Sequence, residues 1–285
     1  MIELKGVSYT YPDSEEPILD NLDLTVAPGS VFGIVGASGA GKTTLAKVIS
    51  GFIPHAEGGD LEGSVMVQGI DVPRVTLIDI VTEVGLVTQN PFNQITGARF
   101  TVQEEIAFGL ENLGTPRQEM VQKVGAIVEL FGLGHLIERS PYELSGGQQQ
   151  LVAIASIMVM EPAILVMDEP TSQLDPGGTR LVFDVIDTLA ERGTTVVLFE
   201  HKLELLREHA DTLGVLAGGR IALSGTPHDV LADERLDQWG VGSTRFTLAA
   251  RVALAERAVP VGRPIPVSLE EAVDFFSGQA QGRSS

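Results

Sequence analysis

One octapeptide constrains the fold of this chain more than any other part of its sequence: Gly36-Ala37-Ser38-Gly39-Ala40-Gly41-Lys42-Thr43. It matches the pattern G-x-x-x-x-G-K-[ST], and it lies between the apolar run Val31–Val35 and a helical pattern that begins at about Lys42. The glycines let backbone N–H groups turn inward around a phosphate, and the helix N-terminus adds a positive partial charge. We expect Lys42 to bind the β- and γ-phosphates and the Thr43 hydroxyl to bind Mg²⁺. The predicted nucleotide-binding residues here are Gly36, Ala37, Ser38, Gly39, Ala40, Gly41, Lys42, Thr43 and Thr44.

Short apolar runs alternate with helical patterns along the chain. The runs Val31–Val35, Ile164–Met167 and Thr194–Phe199 are separated by helical segments, which predicts an α/β fold with a parallel sheet. Ile2–Tyr9 and Leu22–Val26 are separated by prolines and predict an antiparallel layer at the edge of the same domain. Together with the octapeptide, these patterns predict a P-loop NTPase core.

A helical subdomain is predicted at about residues 95–160, because residues 101–160 contain no comparable strand run. Glycines and prolines divide this part of the sequence into separate helices. The predicted helices are Thr101–Leu113, Arg117–Phe131 and Ser145–Met160, with a further one near Gly178–Arg192.

The composition changes in the last part of the chain, so we predict a nucleotide-binding domain at 1–235 and a small C-terminal extension at 236–285. The extension shows a helical stretch at Leu248–Ala258 and ends in a polar segment. Ser268 followed by Glu271 is a capping box that marks the start of another helix. Prolines space the link between the two helices: Pro260, Pro264 and Pro266.

Two adjacent carboxylates, Asp168 and Glu169, follow the apolar strand Ile164–Met167. Successive side chains of a strand point to opposite sides, so one carboxylate can face a metal while the other faces an attacking water. We expect Asp168 to bind Mg²⁺, mainly through water, and Glu169 to act as the general base of hydrolysis.

The charge balance argues against nucleic acid as a partner. The chain has 285 residues and a formal net charge of −19, so its surface as a whole should repel phosphate backbones. It contains no cysteine, which excludes thiol catalysis and fits a reducing compartment. The N-terminus MIELKGVSYTYP shows no signal-peptide pattern, and the most apolar segment, Leu151–Met160, is too short for a membrane span.

A third motif begins a helix: Leu144-Ser145-Gly146-Gly147-Gln148. Ser145 is a good N-cap, and the two glycines expose N–H groups at a helix start, which makes an anion site. Given the phosphate loop before it and Asp168-Glu169 after it, the chain resembles the ATP-binding-cassette (ABC) ATPases from residue 1 to about 235. The resemblance implies ATP and Mg²⁺ as the ligands.

The resemblance assigns roles to four further residues. Tyr11 matches the aromatic residue that stacks on adenine, although Tyr9 lies nearby and is an alternative. Gln89 matches the glutamine that contacts Mg²⁺ and links the nucleotide to the helical subdomain. Asp175 matches the loop that crosses to the other subunit, and His201 matches the histidine that contacts the γ-phosphate.

The same resemblance implies a dimer. Two copies face head to tail, so that each signature motif, residues 144–148, completes the γ-phosphate site of the other copy. Hydrolysis at Glu169 then separates the halves and moves whatever is docked on the helical subdomain. Leu151 and Ser156 stand where many cassettes carry arginine, so the contacts that those arginines make elsewhere are not expected here.

Within the ABC family, the segments Gln89–Ile95 and Thr101–Leu113 resemble the ATPase subunits of energy-coupling-factor (ECF) transporters, as do residues 171–175 and 200–202. This implies an importer of a vitamin or a transition-metal ion. Its partners would be a second ATPase subunit, identical or different, an integral membrane coupling protein and a substrate-capture membrane subunit. The chain would then lie on the cytoplasmic face of the cell membrane as a peripheral protein, and its C-terminal extension would hold the dimer together.

Two alternatives remain at this point. One is the ATPase subunit of a conventional ABC importer that is fed by a soluble binding protein. The other is a soluble cassette ATPase that acts on nucleic acid or ribosomes, which the negative charge and the absence of a basic stripe disfavour.

Overall fold

The structure is a computed structural model that describes residues 1–259 and 262–277. Its strands are β1 (Ile2–Thr10), β2 (Leu19–Val26), β3 (Val31–Val35), β4 (Asp60–Val67), β5 (Ile70–Asp71), β6 (Val84–Val87), β7 (Ile164–Asp168), β8 (Thr195–Phe199), β9 (Thr212–Ala217) and β10 (Arg220–Gly225). Its helices are α1 (Lys42–Ile49), α2 (Phe52–His55), α3 (Leu77–Val81), α4 (Val102–Asn112), α5 (Arg117–Leu130), α6 (Gly146–Met158), α7 (Pro176–Glu191), α8 (Leu203–His209), α9 (Pro227–Ala232), α10 (Arg245–Ala255) and α11 (Leu269–Ser277).

The strands form two sheets. The larger sheet has the order β10-β9-β3-β8-β7-β6, in which the strands from β9 to β6 are parallel and β10 pairs antiparallel with β9. The smaller sheet has the order β2-β1-β4-β5 and is antiparallel throughout. The predicted α/β fold with an antiparallel edge layer is therefore confirmed.

The parallel sheet is buried on both faces. Along β7, Leu165 and Met167 belong to an apolar cluster with α4 to α8, whereas Ile164 and Val166 belong to a second cluster with α1 and the antiparallel sheet. This division follows the period-two alternation of side chains along a strand. Because both faces need apolar cover, β3, β7 and β8 read as continuous apolar runs, which is why the sequence predicts them.

The helical insertion between β6 and β7 also agrees with the prediction. Residues 101–160, which the structure describes throughout, contain α4, α5 and α6 and no strand. Thr101 and Glu104 form a capping box at the start of α4, so this helix begins where the sequence predicts.

The C-terminal helices differ from the prediction in detail. Helix α10 spans Arg245–Ala255, whereas the predicted segment is Leu248–Ala258, so both ends lie three residues earlier than predicted. The helix begins at Arg245 because the Thr244 side chain caps it by accepting a hydrogen bond from the Thr247 N–H. Pro260 and the predicted polar end at 278–285 lie outside the described residues. The division of the chain at residue 235 stays a prediction.

The predicted capping box before α11 is only half formed. The Ser268 hydroxyl accepts a hydrogen bond from the Glu271 N–H at 3.2 Å, as expected. The Glu271 carboxylate, however, accepts from the N–H of Val267 rather than from that of Ser268, at 2.7 Å. The carboxylate therefore fixes the residue that precedes the cap.

A charged cluster fixes the segment between α9 and α10. Asp233 caps the turn Glu234–Leu236 and accepts hydrogen bonds from the Arg235 backbone N–H at 2.8 Å and from its Nη2 at 2.7 Å. These bonds stabilise the charged carboxylate and lower the pKa of Asp233 to about 2. The Arg235 guanidinium also lies over the Trp239 ring, 5.2 Å from its centroid.

We expect Asp233→Asn to lower the free energy of unfolding at pH 7. A folded-state pKa below the unfolded value of about 3.9 stabilises the fold above that value, and this contribution is lost as pH falls toward the folded pKa of about 2. The difference in the free energy of unfolding between wild type and variant, measured by urea titration, should therefore become smaller as the pH is lowered from 5 to 3. Asp184→Asn, at an exposed position of α7, is the control for the loss of one negative charge. A gap that stays constant over this range would contradict the prediction.

Candidate active site

The predicted site residues meet at one edge of the parallel sheet. The carboxyl end of β3 leads into the phosphate loop, the end of β7 carries Asp168, and His201 follows β8. Gln89 follows β6 in the same way. Carboxyl ends of parallel strands lie on the same side of a sheet, which is where α/β proteins bind their ligands. The four segments line one cavity of about 430 Å³, whose walls are Tyr11, Ile18, Ser38, Gly39, Gly41, Lys42, Thr43, Thr44, Gln89, Glu169 and His201.

The phosphate loop wraps around the Lys42 side chain. Lys42 Nζ donates to the carbonyl oxygen of Gly36 at 2.9 Å and to that of Ala37 at 3.0 Å. Its burial lowers the pKa of Lys42, an effect that the negative charges of Glu169 and Asp168 oppose. Gly41, the residue before α1, has a φ of 101°, a conformation that favours glycine. The cation is therefore held inside the loop that would surround a phosphate.

Asp168 is nearly buried and contacts the first turn of α1. The Thr43 hydroxyl donates to Asp168 Oδ2 at 2.6 Å, and only 4% of Asp168 is exposed. Burial raises the pKa of the Asp168 carboxyl, while the hydrogen bond from Thr43 and the charge of Lys42 oppose that shift.

Asp168 and Glu169 are adjacent in the sequence, but only Asp168 belongs to strand β7. Strand β7 ends at Asp168, and Glu169 has a φ of 49°, in the left-handed region. Strand alternation therefore does not extend to Glu169, and the prediction that it places the two side chains on opposite sides was wrong. Glu169 lies after the strand in the left-handed region. Its carboxylate contacts Gln89 and His201, whereas that of Asp168 contacts Thr43.

Glu169 is held by residues from two other segments. Gln89 Nε2 donates to Glu169 Oε2 at 2.6 Å, and His201 Nε2 lies 2.8 Å from Glu169 Oε1. Both carboxylate oxygens thus have a partner, and the bonds connect the carboxyl ends of β6, β7 and β8.

The two candidate aromatic residues have different surroundings. Tyr11 lines the cavity, and its hydroxyl lies 2.9 Å from Thr44 Oγ1. Tyr9 is fully buried, and its hydroxyl donates to the carbonyl oxygen of Gly58 at 2.5 Å. The rings meet edge to face with centroids 4.9 Å apart, so Tyr9 supports the Tyr11 ring from behind.

The signature motif lies at the start of α6 and does not line this cavity within the described part of the chain. Ser145 caps the helix, since its hydroxyl accepts from the Gln148 N–H at 3.4 Å and its own N–H donates to Gln148 Oε1 at 3.1 Å. A Cβ on Gly146 would lie 2.8 Å from Gln173 Oε1, which places the motif against the loop before α7.

Asp175 and the two atypical residues of α6 also have local partners. Asp175 caps α7 by accepting from the Gly178 N–H at 2.7 Å. Leu151 is half-buried against the large apolar cluster, and the Ser156 hydroxyl donates to the carbonyl oxygen of Val152 at 2.8 Å. Neither residue replaces the charge of an arginine.

Sequence reasoning missed a second layer of polar contacts behind Glu169 and His201. The Thr171 hydroxyl donates to the buried Glu200 carboxylate, and Lys202 Nζ donates to the Thr171 carbonyl oxygen at 3.1 Å. These bonds join the segment after β7 to the segment after β8. Ile18, which lines the cavity, was also missed, because a single apolar residue in a polar loop carries no signal.

Comparison with known proteins agrees with this geometry. The sequence profile described as ABC transporter matches residues 19–172. The chain belongs to the ABC transporter ATPases. It is thus an ATP-hydrolysing subunit of a transporter, and the recognition of this family from its motifs is confirmed.

Three relatives place the chain within this family. A protein of Pyrococcus abyssi, provisionally named an ABC transporter ATP-binding protein, is 38% identical over 98% of this chain and 99% of its own length. A protein of Pyrococcus horikoshii with the same provisional name is 43% identical over 91% of this chain and 93% of its own length. The ECF transporter ATP-binding protein EcfA of Methanosarcina acetivorans is 40% identical over 93% of this chain and 92% of its own length.

Solved structures of ABC ATPases also resemble this chain. CbiO1 from Clostridium perfringens, part of the ABC transporter complex CbiONQ, is 27% identical with a TM-score of 0.71 over 90% of this chain and 96% of that one. A dimeric ATP-binding cassette in a post-hydrolysis state with ADP and phosphate is 27% identical with a TM-score of 0.70, over 80% of this chain and 99% of its own. In the described part of this ATPase, no helix is both long and apolar enough to span a bilayer.

We expect Gly36→Ala to destabilise the ATPase by about 1–3 kcal/mol, as overpacking does, and to abolish nucleotide binding. An added Cβ would lie 2.5 Å from the backbone oxygen of Leu216, so the phosphate loop would have to move. Gly125→Ala is the matched control, because a Cβ there meets no atom within 4 Å on an exposed face of α5, and it should stabilise the helix by about 0.5–1 kcal/mol. Urea unfolding and ADP titration measure both effects, and equal stability of the two variants would contradict the prediction.

Proposed function

We propose that this ATPase is the ATP-hydrolysing subunit of an ECF-type importer that powers uptake of a vitamin or a transition-metal ion. The observation that carries the proposal is the likeness to EcfA over almost the whole of both chains, 40% identity over 267 residues. The likeness to CbiO1, a component of a named multi-subunit complex, supports it.

The proposed docking surface for the membrane coupling protein is the segment 90–113. Phe92 and Phe100 are 56% and 86% exposed, although aromatic side chains are usually buried. Both lie between Gln89 and α4, so a protein bound there would contact the segment that carries a residue of the ATP site. The chain would bind the cytoplasmic face of the membrane through this surface, together with a second ATPase subunit and a substrate-capture membrane subunit.

The donor atoms at the site fit Mg²⁺. The Thr43 hydroxyl, the Asp168 carboxylate and the Gln89 amide are oxygen donors, which Mg²⁺ prefers, and Thr43 and Asp168 already lie next to each other. Thr43 and Gln89 would hold the ion directly and Asp168 through water. When bound, the ion neutralises charge on the phosphates.

We assign the remaining roles from the family resemblance, and the charge and position of the residues support them. The phosphate-loop backbone and Lys42 bind the β- and γ-phosphates, and the Tyr11 ring stacks on adenine. Glu169 accepts a proton from the attacking water, and Gln89 and His201 orient its carboxylate. His201 also contacts the γ-phosphate.

The second half of each site comes from the other subunit. Residues 144–148 present a capped helix N-terminus that does not face the cavity of their own chain, which is the arrangement that a head-to-tail dimer needs. Asp175 lies in the loop that crosses to the other subunit. The division into a 1–235 domain and a 236–285 extension belongs to this proposal, in which the exposed apolar residues Leu248 and Leu269 take part in dimer contact.

Glu169→Gln should still bind ATP and dimerise stably, but it should hydrolyse ATP about 10²- to 10⁴-fold more slowly, since glutamine cannot accept the proton. Phosphate release and light scattering with ATP measure the two effects. Glu191→Gln, the same chemical change at an exposed position of α7, should leave turnover unchanged. Turnover of Glu169→Gln near the wild-type rate would remove Glu169 as the base.

Tyr11→Ala should weaken ATP binding about tenfold or more, because the stacking of a base on an aromatic ring contributes about 1–3 kcal/mol. Tyr9→Phe removes only the hydrogen bond to Gly58, so it should cost about 1 kcal/mol of stability and leave ATP affinity unchanged. Calorimetric titration with ATP separates the two residues. An affinity loss in Tyr9→Phe but not in Tyr11→Ala would reverse the assignment.

The transporter type is tested by purifying the tagged ATPase from native membranes and identifying the bound proteins by mass spectrometry. We expect one coupling protein and at least one small substrate-capture membrane protein. Recovery of membrane subunits together with a soluble binding protein would instead support a conventional ABC importer, in which case exchanging residues 90–113 with those of such a subunit should leave assembly intact. Recovery of ribosomes or nuclease-sensitive nucleic acid would contradict transport altogether.

A further inference from the structure

The chain touches the phosphate loop again just before its C-terminal helices. Residues 237–243, here called the linker loop, connect the turn Glu234–Leu236 to α10. Gly240 in this loop has a φ of 67°, and a Cβ built on it would lie 3.2 Å from the Cβ of Ala37. That separation is tighter than ordinary contact between side chains, so the backbone at Gly240 packs directly against the phosphate loop.

Hydrogen bonds and apolar packing hold the linker loop in place. Gly240 N–H donates to the Asp237 carbonyl oxygen at 3.2 Å, and Val241 N–H donates to the carbonyl oxygen of the fully buried Leu236 at 3.1 Å. Trp239 and Val241 pack against the large apolar cluster. The loop therefore cannot move away from Ala37 without breaking these contacts.

Helix α10 is attached to the same loop. Arg251 Nη1 donates to the Ser243 hydroxyl at 2.9 Å and to Asp237 Oδ2 at 3.2 Å, and its Nη2 donates to the Asp233 carbonyl oxygen at 3.0 Å. A single guanidinium thus connects α10 to both ends of the linker loop and to the turn before it.

Ala37 is well placed to transmit a displacement into the ATP site. Its carbonyl oxygen accepts from Lys42 Nζ at 3.0 Å and from the Ala40 N–H at 3.2 Å. A shift of Ala37 would move both the backbone that surrounds the phosphates and the cation that binds them.

We propose that Gly240 is a positioning residue for the phosphate loop. Because Gly240 lacks a Cβ, the linker loop can pack against Ala37 and hold the loop in the shape that binds phosphate. The C-terminal helices are thereby connected to ATP affinity through Arg251 and the linker loop. This inference needs only the ATP binding of the family and does not depend on the type of transporter.

The test compares nucleotide binding by Gly240→Ala with that of the wild type, using the full chain. We expect the Kd for ADP with Mg²⁺, measured by calorimetry, to rise about tenfold, and the KM for ATP to rise by a similar factor. The kcat should stay within about twofold, because a loop that binds the phosphates equally in the ground and transition states affects KM alone.

Gly242→Ala is the matched control. Gly242 lies in the same loop with a φ of 80°, but a Cβ there meets no atom within 4 Å. Both variants place alanine in the left-handed region and should lower the thermal midpoint, Gly240→Ala by more because its methyl also meets Ala37. Only Gly240→Ala should weaken ADP binding.

A second substitution makes the contact itself testable. Ala37→Gly removes the Cβ that the methyl group of Gly240→Ala would meet. The Kd for ADP of the double variant, which carries both substitutions, should therefore lie within about threefold of that of Ala37→Gly alone. If Gly240→Ala does not fold, Gly240→Asn and Gly242→Asn form a second pair, since asparagine tolerates the left-handed region better. Equal loss of ADP affinity at both glycines, unchanged affinity in Gly240→Ala, or no rescue by Ala37→Gly would each overturn the proposal.

Discussion

The parallel pairing of β6, β7, β8 and β3 is the constraint on which the rest of the structure depends. Parallel pairing brings the carboxyl ends of four strands, which are far apart in sequence, to one edge of the sheet. Asp168 is the last residue of β7, and the phosphate loop follows β3 directly. Gln89 lies two residues after the end of β6, and His201 lies two residues after the end of β8. Since the sheet is buried on both faces, the strands cannot shift relative to one another without exposing apolar side chains, and the site inherits that rigidity.

The charged groups at this edge work against the stability of the free protein. Burial raises the pKa of the Asp168 carboxyl and lowers that of the Lys42 ammonium, so each charge is less favourable in the fold than in water. Each is partly compensated, by the Thr43 hydroxyl and by two loop carbonyls. Apolar residues would pack more stably in this place, so the two buried charges serve the nucleotide chemistry of an ATPase and not the stability of the fold.

The sequence predicted most of the fold and named the residues that line the cavity, apart from Ile18. It did so because the parallel strands are buried on both faces and read as apolar runs, and because the phosphate loop places its helix without ambiguity. The short strands β5 and β6 and the half-exposed strands β4 and β10 carry no such signal, so they were missed. The parallel strand β9 was missed as well, although it is buried. The left-handed turn at Glu169 and the contact between Gly240 and Ala37 depend on tertiary packing, which local sequence patterns do not report.

The paired hydrogen bonds of Glu169 have an entropic consequence. A glutamate side chain in water samples many rotamers, and confining it to one costs up to about 2 kcal/mol. In this enzyme Gln89 and His201 each engage one oxygen of the Glu169 carboxylate. The fold itself therefore bears part of the entropic cost of orienting the Glu169 carboxylate.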